Sequence, residues 1–184
     1  MAASPKKSLA LDANLLLDLA EENDFAHDFR EEFTKRGYSL VVPPTVLAEL
    51  EALAASGRAP QCHFADMALE KLADWECQPF MLSALKLAIA YRFAERLLDL
   101  RLIPETEQND GKILAQTSLV QIPLLVTSDK HLLDIDEEAL LLAFNEADLL
   151  PVHPAHPKRL LRALRSLTSD GAATIVPCPE TKHA

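Results

Sequence analysis

Hydrophobic residues occur in this chain as short continuous runs and as longer helical stripes. The short runs predict buried strands, and stripes that recur every three or four residues predict helices that cover them. The predicted strands are residues 8–12, 38–42, 122–127 and 149–152. The pattern predicts one α/β domain over residues 1–167, with a central parallel sheet of about four strands flanked by helices.

Proline, glycine and capping residues predict where the helices begin and end. Asn23 can cap a helix whose apolar face carries Phe25, Phe29 and Phe33, and Gly37 stops it. A proline suits the first turn of a helix over residues 44–55. Further helices are predicted over residues 64–75, 80–100, 110–120, 136–144 and 157–167.

The end of the chain shows a different pattern. Residues 168–184 have no hydrophobic periodicity. Chain ends without an apolar face to bury are usually poorly ordered. We therefore expect a loose C-terminal tail.

Charge and cysteine content narrow the class of protein. The chain has 28 acidic and 18 basic residues in 184, a net charge of −10. This disfavours extended non-specific contact with nucleic acid but leaves open a nucleic-acid enzyme, because bound metal ions reverse the charge locally. Cys62, Cys77 and Cys178 form no C-x-x-C pair, which predicts free thiols in a reducing compartment. With no signal-peptide pattern and no spanning segment, we expect a cytoplasmic protein.

Four acidic residues lie beside predicted element ends: Asp12, Glu49, Asp110 and Asp129. Asp12 ends the first predicted strand and Asp129 follows the third. Because the carboxyl ends of parallel strands meet at one edge of the sheet, these two carboxylates are expected to lie together. At about 4 Å and an effective dielectric near 20, each such pair repels by on the order of 4 kcal/mol. A cation or a shared proton must offset this repulsion, so the set predicts a divalent-metal site.

Each of these acidic residues also has an ordinary structural explanation. Asp12 and Asp110 could cap helices, and Asp129 could be a turn residue. A lone glutamate such as Glu49 is usually solvated. Glu51 is its neighbouring candidate, but residues two apart on a helix point to different sides, so only one can face the sheet edge. The prediction of a metal site therefore depends on all four acidic residues occurring together in this order along the chain.

Four segments around these residues resemble the PIN-domain signature, in the right order: Leu9–Asn14, Pro44–Leu50, Asn109–Ala115 and Leu125–Lys130. The resemblance runs from about residue 8 to residue 167. Its late part, residues 151–161, is similar to the last strand and helix of VapC-type toxins. Ala13 differs from the threonine often found there.

The resemblance implies an endoribonuclease that depends on Mg²⁺ or Mn²⁺ and hydrolyses RNA phosphodiester bonds. Asp12, Asp110 and Asp129 would be its metal ligands, and Glu49 would complete the catalytic set. Hard cations prefer such all-oxygen ligand sets. The resemblance also implies the toxin of a toxin–antitoxin pair, with a small antitoxin partner and possible homodimers.

Polar and basic residues would support this site. The resemblance gives Asn14 and Thr127 supporting polar roles. Lys158, Arg162 and Arg165 share one helical face, so they are candidates for contact with RNA or with a protein partner. A solvated basic face is the alternative explanation.

Two other functions compete with the nuclease. One is a non-catalytic PIN-like module that serves binding or assembly. The other is an α/β phosphoryl-transfer or receiver-type domain, which also gathers aspartates at strand ends. Against the second, no aspartate stands at position 13 or 14, so the D-x-D start of phosphatases is missing.

Overall fold

A five-stranded parallel sheet runs through the part of the chain described by this computed structural model, residues 7–56 and 58–169. The strands are β1 (Ser8–Leu11), β2 (Ser39–Val42), β3 (Cys77–Pro79), β4 (Leu124–Val126) and β5 (His153–Ala155). The helices are α1 (Ala13–Ala20), α2 (Asp24–Lys35), α3 (Pro44–Ala55), α4 (Gln61–Lys71), α5 (Ala84–Asp99), α6 (Gln108–Leu119), α7 (Lys130–Leu133), α8 (Glu137–Glu146) and α9 (Pro157–Ser169).

The direction of strand addition reverses at the middle of the sheet. The strands lie in the order β3-β2-β1-β4-β5, and every neighbouring pair is parallel. From β1 the chain adds β2 and β3 on one side, then returns to place β4 and β5 on the other. Such a reversal leaves a crevice at the carboxyl ends of β1 and β4, where open α/β sheets bind ligands.

The core forms between the sheet and the apolar faces of the helices. In β1, Leu9, Ala10 and Leu11 are all buried, as expected for a central parallel strand that is covered on both faces. On α2, Phe29 and Phe33 are buried, and their ring centroids are 4.5 Å apart. Among the described residues, no helix has the length and apolar character needed to cross a bilayer.

The α/β class and the parallel sheet are confirmed, but the sheet has five strands rather than about four. The sequence did not predict β3, whose three residues are Cys-Gln-Pro. Neither an apolar run nor an alternation of polar and apolar residues marks this segment. It forms the edge of the sheet, where proline is tolerated because one side of the strand needs no partner.

The last strand lies later than predicted. Residues 149–152 connect α8 to β5, and the Leu149 N–H donates to the Phe144 carbonyl at the end of the helix. The strand begins at His153, whose N–H donates to the Pro123 carbonyl. The prediction relied on apolar residues, whereas the backbone hydrogen bonds place the strand in a His-Pro-Ala segment that has no apolar run.

The C-terminal helix extends slightly beyond its predicted end. α9 continues to Ser169, two residues past position 167. The rest of the predicted loose tail, residues 170–184, lies outside the described residues.

Gly111 permits the close approach of α5 and α6. A Cβ atom at this position would lie 2.7 Å from the Cα of Ala94 and 2.8 Å from its Cβ. Non-bonded carbon atoms normally stay about 3.5–4.0 Å apart. Only glycine therefore fits here, and the contact also fixes the neighbouring Asp110 relative to α5.

Replacing Gly111 with alanine should destabilise the protein, because α6 must move away from α5 to admit the new methyl group. We expect the free energy of unfolding to fall by about 1–3 kcal/mol, as in other overpacked cores. Urea denaturation measures this change, and adding Ala94→Gly should recover part of the loss. Alanine is intrinsically the better helix former, so a more stable G111A variant would contradict the close contact.

Candidate active site

The four predicted acidic residues line one cleft at the carboxyl end of the sheet. The cleft has a volume of about 420 Å³. It lies at the crevice between β1 and β4. Its lining residues are Asp12, Ala13, Asn14, Leu17, Glu49, Ala52, Leu53, Glu107, Asp110 and Asp129.

Asp12 is fixed where β1 passes into α1. Its Oδ1 accepts a hydrogen bond from the Ala13 N–H (2.8 Å), and its Oδ2 accepts from the Thr127 hydroxyl (2.7 Å) and the Asn14 amide (3.3 Å). The side chain is only 4% exposed. Burial raises the pKa of Asp12, and the nearby Asp129 raises it further, whereas these three hydrogen bonds lower it. The carboxylate is therefore held in one orientation by donors that favour its ionised form.

Thr127 links the ends of the two central strands. Its hydroxyl donates to Asp12 and accepts from the Asp129 N–H at 2.9 Å. Asp129 in turn caps α7, its Oδ1 accepting from the His131 N–H at 2.7 Å. One buried hydroxyl thus positions both aspartates that follow the central strands.

Asp110 approaches the cleft from α6. This helix runs back against the strand direction before β4, so its N-terminus lies at the carboxyl edge of the sheet. Asp110 is 7% exposed, and its buried Oδ2 has no hydrogen-bond partner among the described residues. Burial raises the pKa of Asp110 to about 8, with further upward contributions from Asp12, Asp129, Glu107 and Glu49. A buried carboxylate with an unpaired oxygen among other acids is in an unfavourable state, which a cation would relieve.

Glu49 reaches the cleft from α3 and is half-buried. Burial raises its pKa to about 7, and a hydrogen bond from the Asn109 side chain opposes this shift. The Oδ1 of Asn109 accepts from Lys112 Nζ at 3.1 Å, so the amide is itself held in place. Glu51, the alternative candidate, is exposed and does not line the cleft.

Comparisons with known proteins identify the family of this chain and its fold. Residues 9–138 match the family model of the PIN domain. The chain belongs to the PIN-domain family. No curated protein matches the sequence.

Solved structures show the same fold at low sequence identity. This PIN domain is similar to a chain in the crystal structure of VapBC2 from Rickettsia felis bound to a DNA fragment from their promoter. The two chains are 16% identical and superpose with a TM-score of 0.55, and the match covers 81% of this chain and 98% of the other. It is also similar to a chain of VapBC-1 from nontypeable Haemophilus influenzae, with 15% identity, a TM-score of 0.53, and coverage of 82% and 98%. At sequence identities this low, the similarity shows a shared fold and no more.

Two residues that matter to the PIN-domain cleft were not predicted from the sequence. Glu107 lines the cleft one helical turn before Asp110 and contributes to the raised pKa of Asp110. In the sequence, the spacing of three residues between Glu107 and Asp110 indicates that both side chains lie on one side of a helix. The buried Gln116 accepts from the Thr45 N–H (3.1 Å) and donates to the Thr45 hydroxyl (2.7 Å). It therefore ties α6, which carries Asp110, to the first turn of α3, which carries Glu49.

The basic residues predicted to contact RNA or a protein partner are not among those that line the cleft. Lys158 Nζ sits 4.4 Å from the centroid of the Phe25 ring, and Arg165 forms an ion pair with Asp28 at 2.9 Å. Both contacts are with α2, against which α9 packs. Arg162 is exposed on the same helix. None of the three lines the cleft.

The all-oxygen donor set of the cleft fits a hard cation. Its residues offer carboxylates, and one buried oxygen of Asp110 is free to bind. Mg²⁺ and Mn²⁺ prefer such ligands, whereas zinc sites commonly use His or Cys. Within the described residues, however, no three acidic, His or Cys side chains stand in a ready metal-binding arrangement. The cleft therefore has suitable donors that would have to draw closer around an ion.

Asp110→Asn should stabilise the metal-free protein, and more so at pH 8 than at pH 5. The pKa of Asp110 is about 8 in the folded protein, above its ordinary value of 3.8. Between these two values the folded protein keeps a proton that the unfolded chain releases, so the stability of the wild type falls as the pH rises. Asparagine does not titrate. We expect the stability advantage of the variant to grow by about 2–4 kcal/mol between the two pH values.

Urea denaturation in chelator at each pH measures this difference. Asp66→Asn, at an exposed position on α4, is the matched control and should show little change. An advantage of D110N that is the same at both pH values would contradict the raised pKa.

Gln116→Leu should destabilise the protein, because the Thr45 N–H and hydroxyl lose their partners. A buried polar group without a partner costs about 1–3 kcal/mol, and we expect a loss of this size in the free energy of unfolding. In combination with Thr45→Val, the loss should be smaller than the sum of the two single variants. Gln61→Leu, at an exposed position, is the control. Strict additivity of the two changes would exclude the proposed coupling.

Proposed function

We propose that this PIN domain is a metal-dependent endoribonuclease that uses Mg²⁺ or Mn²⁺ to hydrolyse RNA phosphodiester bonds. The observation that carries the proposal is the buried Asp110 carboxylate. Its Oδ2 has no partner in the described part of the chain, and it lies in a cleft with three further predicted acidic residues. Purely structural aspartates satisfy their oxygens with donors. This one is placed where only a proton or a cation can satisfy it.

The proposal gives Asp12, Asp110 and Asp129 the role of metal ligands. Asp110 would bind through its unpaired oxygen. Asp12 and Asp129 would bind through the lone pairs that their hydrogen bonds leave free. A bound Mg²⁺ or Mn²⁺ would supply Lewis-acid chemistry, activating water and stabilising charge on the phosphate oxygens.

The remaining residues would orient water and ligands. Glu49, with its pKa near 7, suits the positioning of the attacking water and the acceptance of its proton near neutral pH. Asn14 and Thr127 hold the Asp12 carboxylate in one orientation through their hydrogen bonds. Such preorganisation keeps the ligand from turning away during the reaction.

We extend the proposal to the biological role. The VapBC neighbours support a toxin of a toxin–antitoxin pair, which would act in the cytoplasm, bind a small antitoxin protein and form homodimers. RNA would be the substrate. Lys158, Arg162 and Arg165 of α9 are candidates for contact with RNA or a partner. Arg162 is the most accessible of the three, because Lys158 and Arg165 contact α2.

A non-catalytic PIN-like binding or assembly module is the second candidate. The observation that favours it is that, in residues 7–56 and 58–169, no three ligating side chains are already arranged for a metal. Such a module would keep the fold without needing the cleft to close around an ion. Activity measurements separate the two functions.

Asp12→Asn should leave the fold intact and reduce Mn²⁺-dependent RNA cleavage by at least about 100-fold, since changes even outside the ligand shell commonly cost 10- to 100-fold. Cleavage of a panel of structured RNAs, with and without chelator, measures the effect. Glu51→Gln is the control, because Glu51 is exposed outside the cleft. Full activity of D12N, or activity that survives the chelator, would contradict the assignment.

A further inference from the structure

A lysine outside the cleft is joined to Glu49 through one intervening side chain. Lys112 of α6 does not line the cleft. Its Nζ donates to Asn109 Oδ1 at 3.1 Å, and the Asn109 side chain hydrogen-bonds Glu49. Asn109 directly precedes Asp110 in the first turn of α6. The hydrogen-bond chain therefore runs from Lys112 through Asn109 to the acid that is proposed to orient water.

The partners of the Asn109 amide decide which way it faces. An asparagine side chain ends in a carbonyl oxygen, which accepts, and an NH₂ group, which donates. Turning the amide by half a revolution exchanges the two. A lysine ammonium has donors and no acceptor, so Lys112 can bind only the oxygen. The NH₂ group is then left for Glu49, whose ionised carboxylate can only accept.

Lys112 is itself held between two helices. Its side chain is half-buried, and its Nζ lies 5.7 Å from the centroid of the Tyr91 ring on α5. An ammonium group within about 6 Å of an aromatic ring is attracted to the face of that ring. Lys112 also directly follows Gly111, the residue at which α6 packs against α5. Helix packing therefore sets the position of the ammonium group.

Glu49 needs the donor that this arrangement provides. Asp12 and Glu107 repel its charge, whereas Lys112 attracts it and the Asn109 hydrogen bond favours the ionised form. A carboxylate that is fixed at one oxygen can present the other oxygen to water in a constant direction. Residues that orient a functional group in this way commonly matter to activity as much as the group itself.

Direct contact with an RNA phosphate is the alternative role for Lys112. Its ammonium is already engaged by Asn109 and lies over the Tyr91 ring, and the side chain does not line the cleft. Moving to a phosphate would break the contact that orients the amide. The contacts of Lys112 therefore favour a role that acts through Asn109.

We propose that Lys112 is a positioning residue for the cleavage reaction. It fixes the Asn109 amide so that the NH₂ group holds one oxygen of Glu49 and leaves the other oxygen for the attacking water. The effect on cleavage rests on the proposed nuclease function. The orientation of the amide is a property of the metal-free protein and can be measured without any activity.

Hydrogen exchange of the Asn109 side-chain amide in the metal-free protein tests this orientation by NMR. The signals are identified by their loss in Asn109→Ala. In Lys112→Met, which has no donor for Oδ1, we expect these protons to exchange with water at least about tenfold faster than in the wild type. Lys112→Arg again presents donors only and should keep the exchange slow. Lys71→Met, which removes an exposed lysine of α4, is the matched control and should leave the signals unchanged.

Mn²⁺-dependent RNA cleavage tests the effect on the reaction. Lys112→Met should lower kcat by about tenfold, the lower end of the range for residues that act through another. KM should change little, because Glu49 is proposed to act on water rather than on RNA binding. In the Asn109→Ala background, Lys112→Met should lower kcat no further, because the residue through which it acts is gone. Lys71→Met should cleave like the wild type.

Several results would overturn the proposal. Amide exchange that stays slow in K112M would do so, as would a raised KM at constant kcat, which is the result expected of a phosphate contact. Equal losses of kcat from K112M with and without Asn109 would exclude a role through this residue. A wild type that cleaves no RNA would refute the proposed function, and the amide exchange would still decide the orientation. Thermal melting close to that of the wild type confirms that each variant is folded.

Discussion

Repulsion among carboxylates that are partly or fully removed from water is the interaction on which the rest of this structure depends. The strand order reverses between β1 and β4, and this reversal brings Asp12 and Asp129 to one crevice. Glu49 and Asp110 enter the same crevice from α3 and α6. Burial strengthens the repulsion because fewer water molecules screen it. Burial is the main cause of the raised pKa values of Glu49 and Asp110, and repulsion by the neighbouring carboxylates raises both further.

The surrounding fold holds the carboxylates in place against this repulsion. Thr127 joins the two strand ends through hydrogen bonds to both aspartates. Gln116 joins α3 to α6, and Gly111 lets α6 press against α5. Each contact stabilises the fold, and together the contacts fix the positions of the acidic residues. Stability and site geometry are therefore linked in this domain, as is common where a site gathers like charges.

The sequence predicts much of this arrangement because two of its features are local. Apolar runs mark β1, β2 and β4, and an acidic residue directly after a parallel strand must appear at the carboxyl edge of the sheet. β3 was not predicted, and β5 was predicted at residues 149–152 instead of His153–Ala155, because backbone pairing alone defines these short, proline-containing edge strands. The role of Gln116 was not predicted because its partner, Thr45, lies 71 positions away in the sequence. Long-range side-chain contacts leave no periodic pattern, so only the folded structure shows which polar residue holds the site together.

Diffraction from crystals soaked in Mn²⁺, recorded at a wavelength where manganese scatters anomalously, shows whether the acidic cleft binds a cation. We expect an anomalous peak in the cleft, from manganese bound by oxygens of Asp110 and of at least one of Asp12 and Asp129. It also predicts that crystals of Asp110→Asn lose this peak. Manganese bound only elsewhere on the surface, or a cleft whose carboxylates stay paired with protein donors and bind no ion, would contradict it.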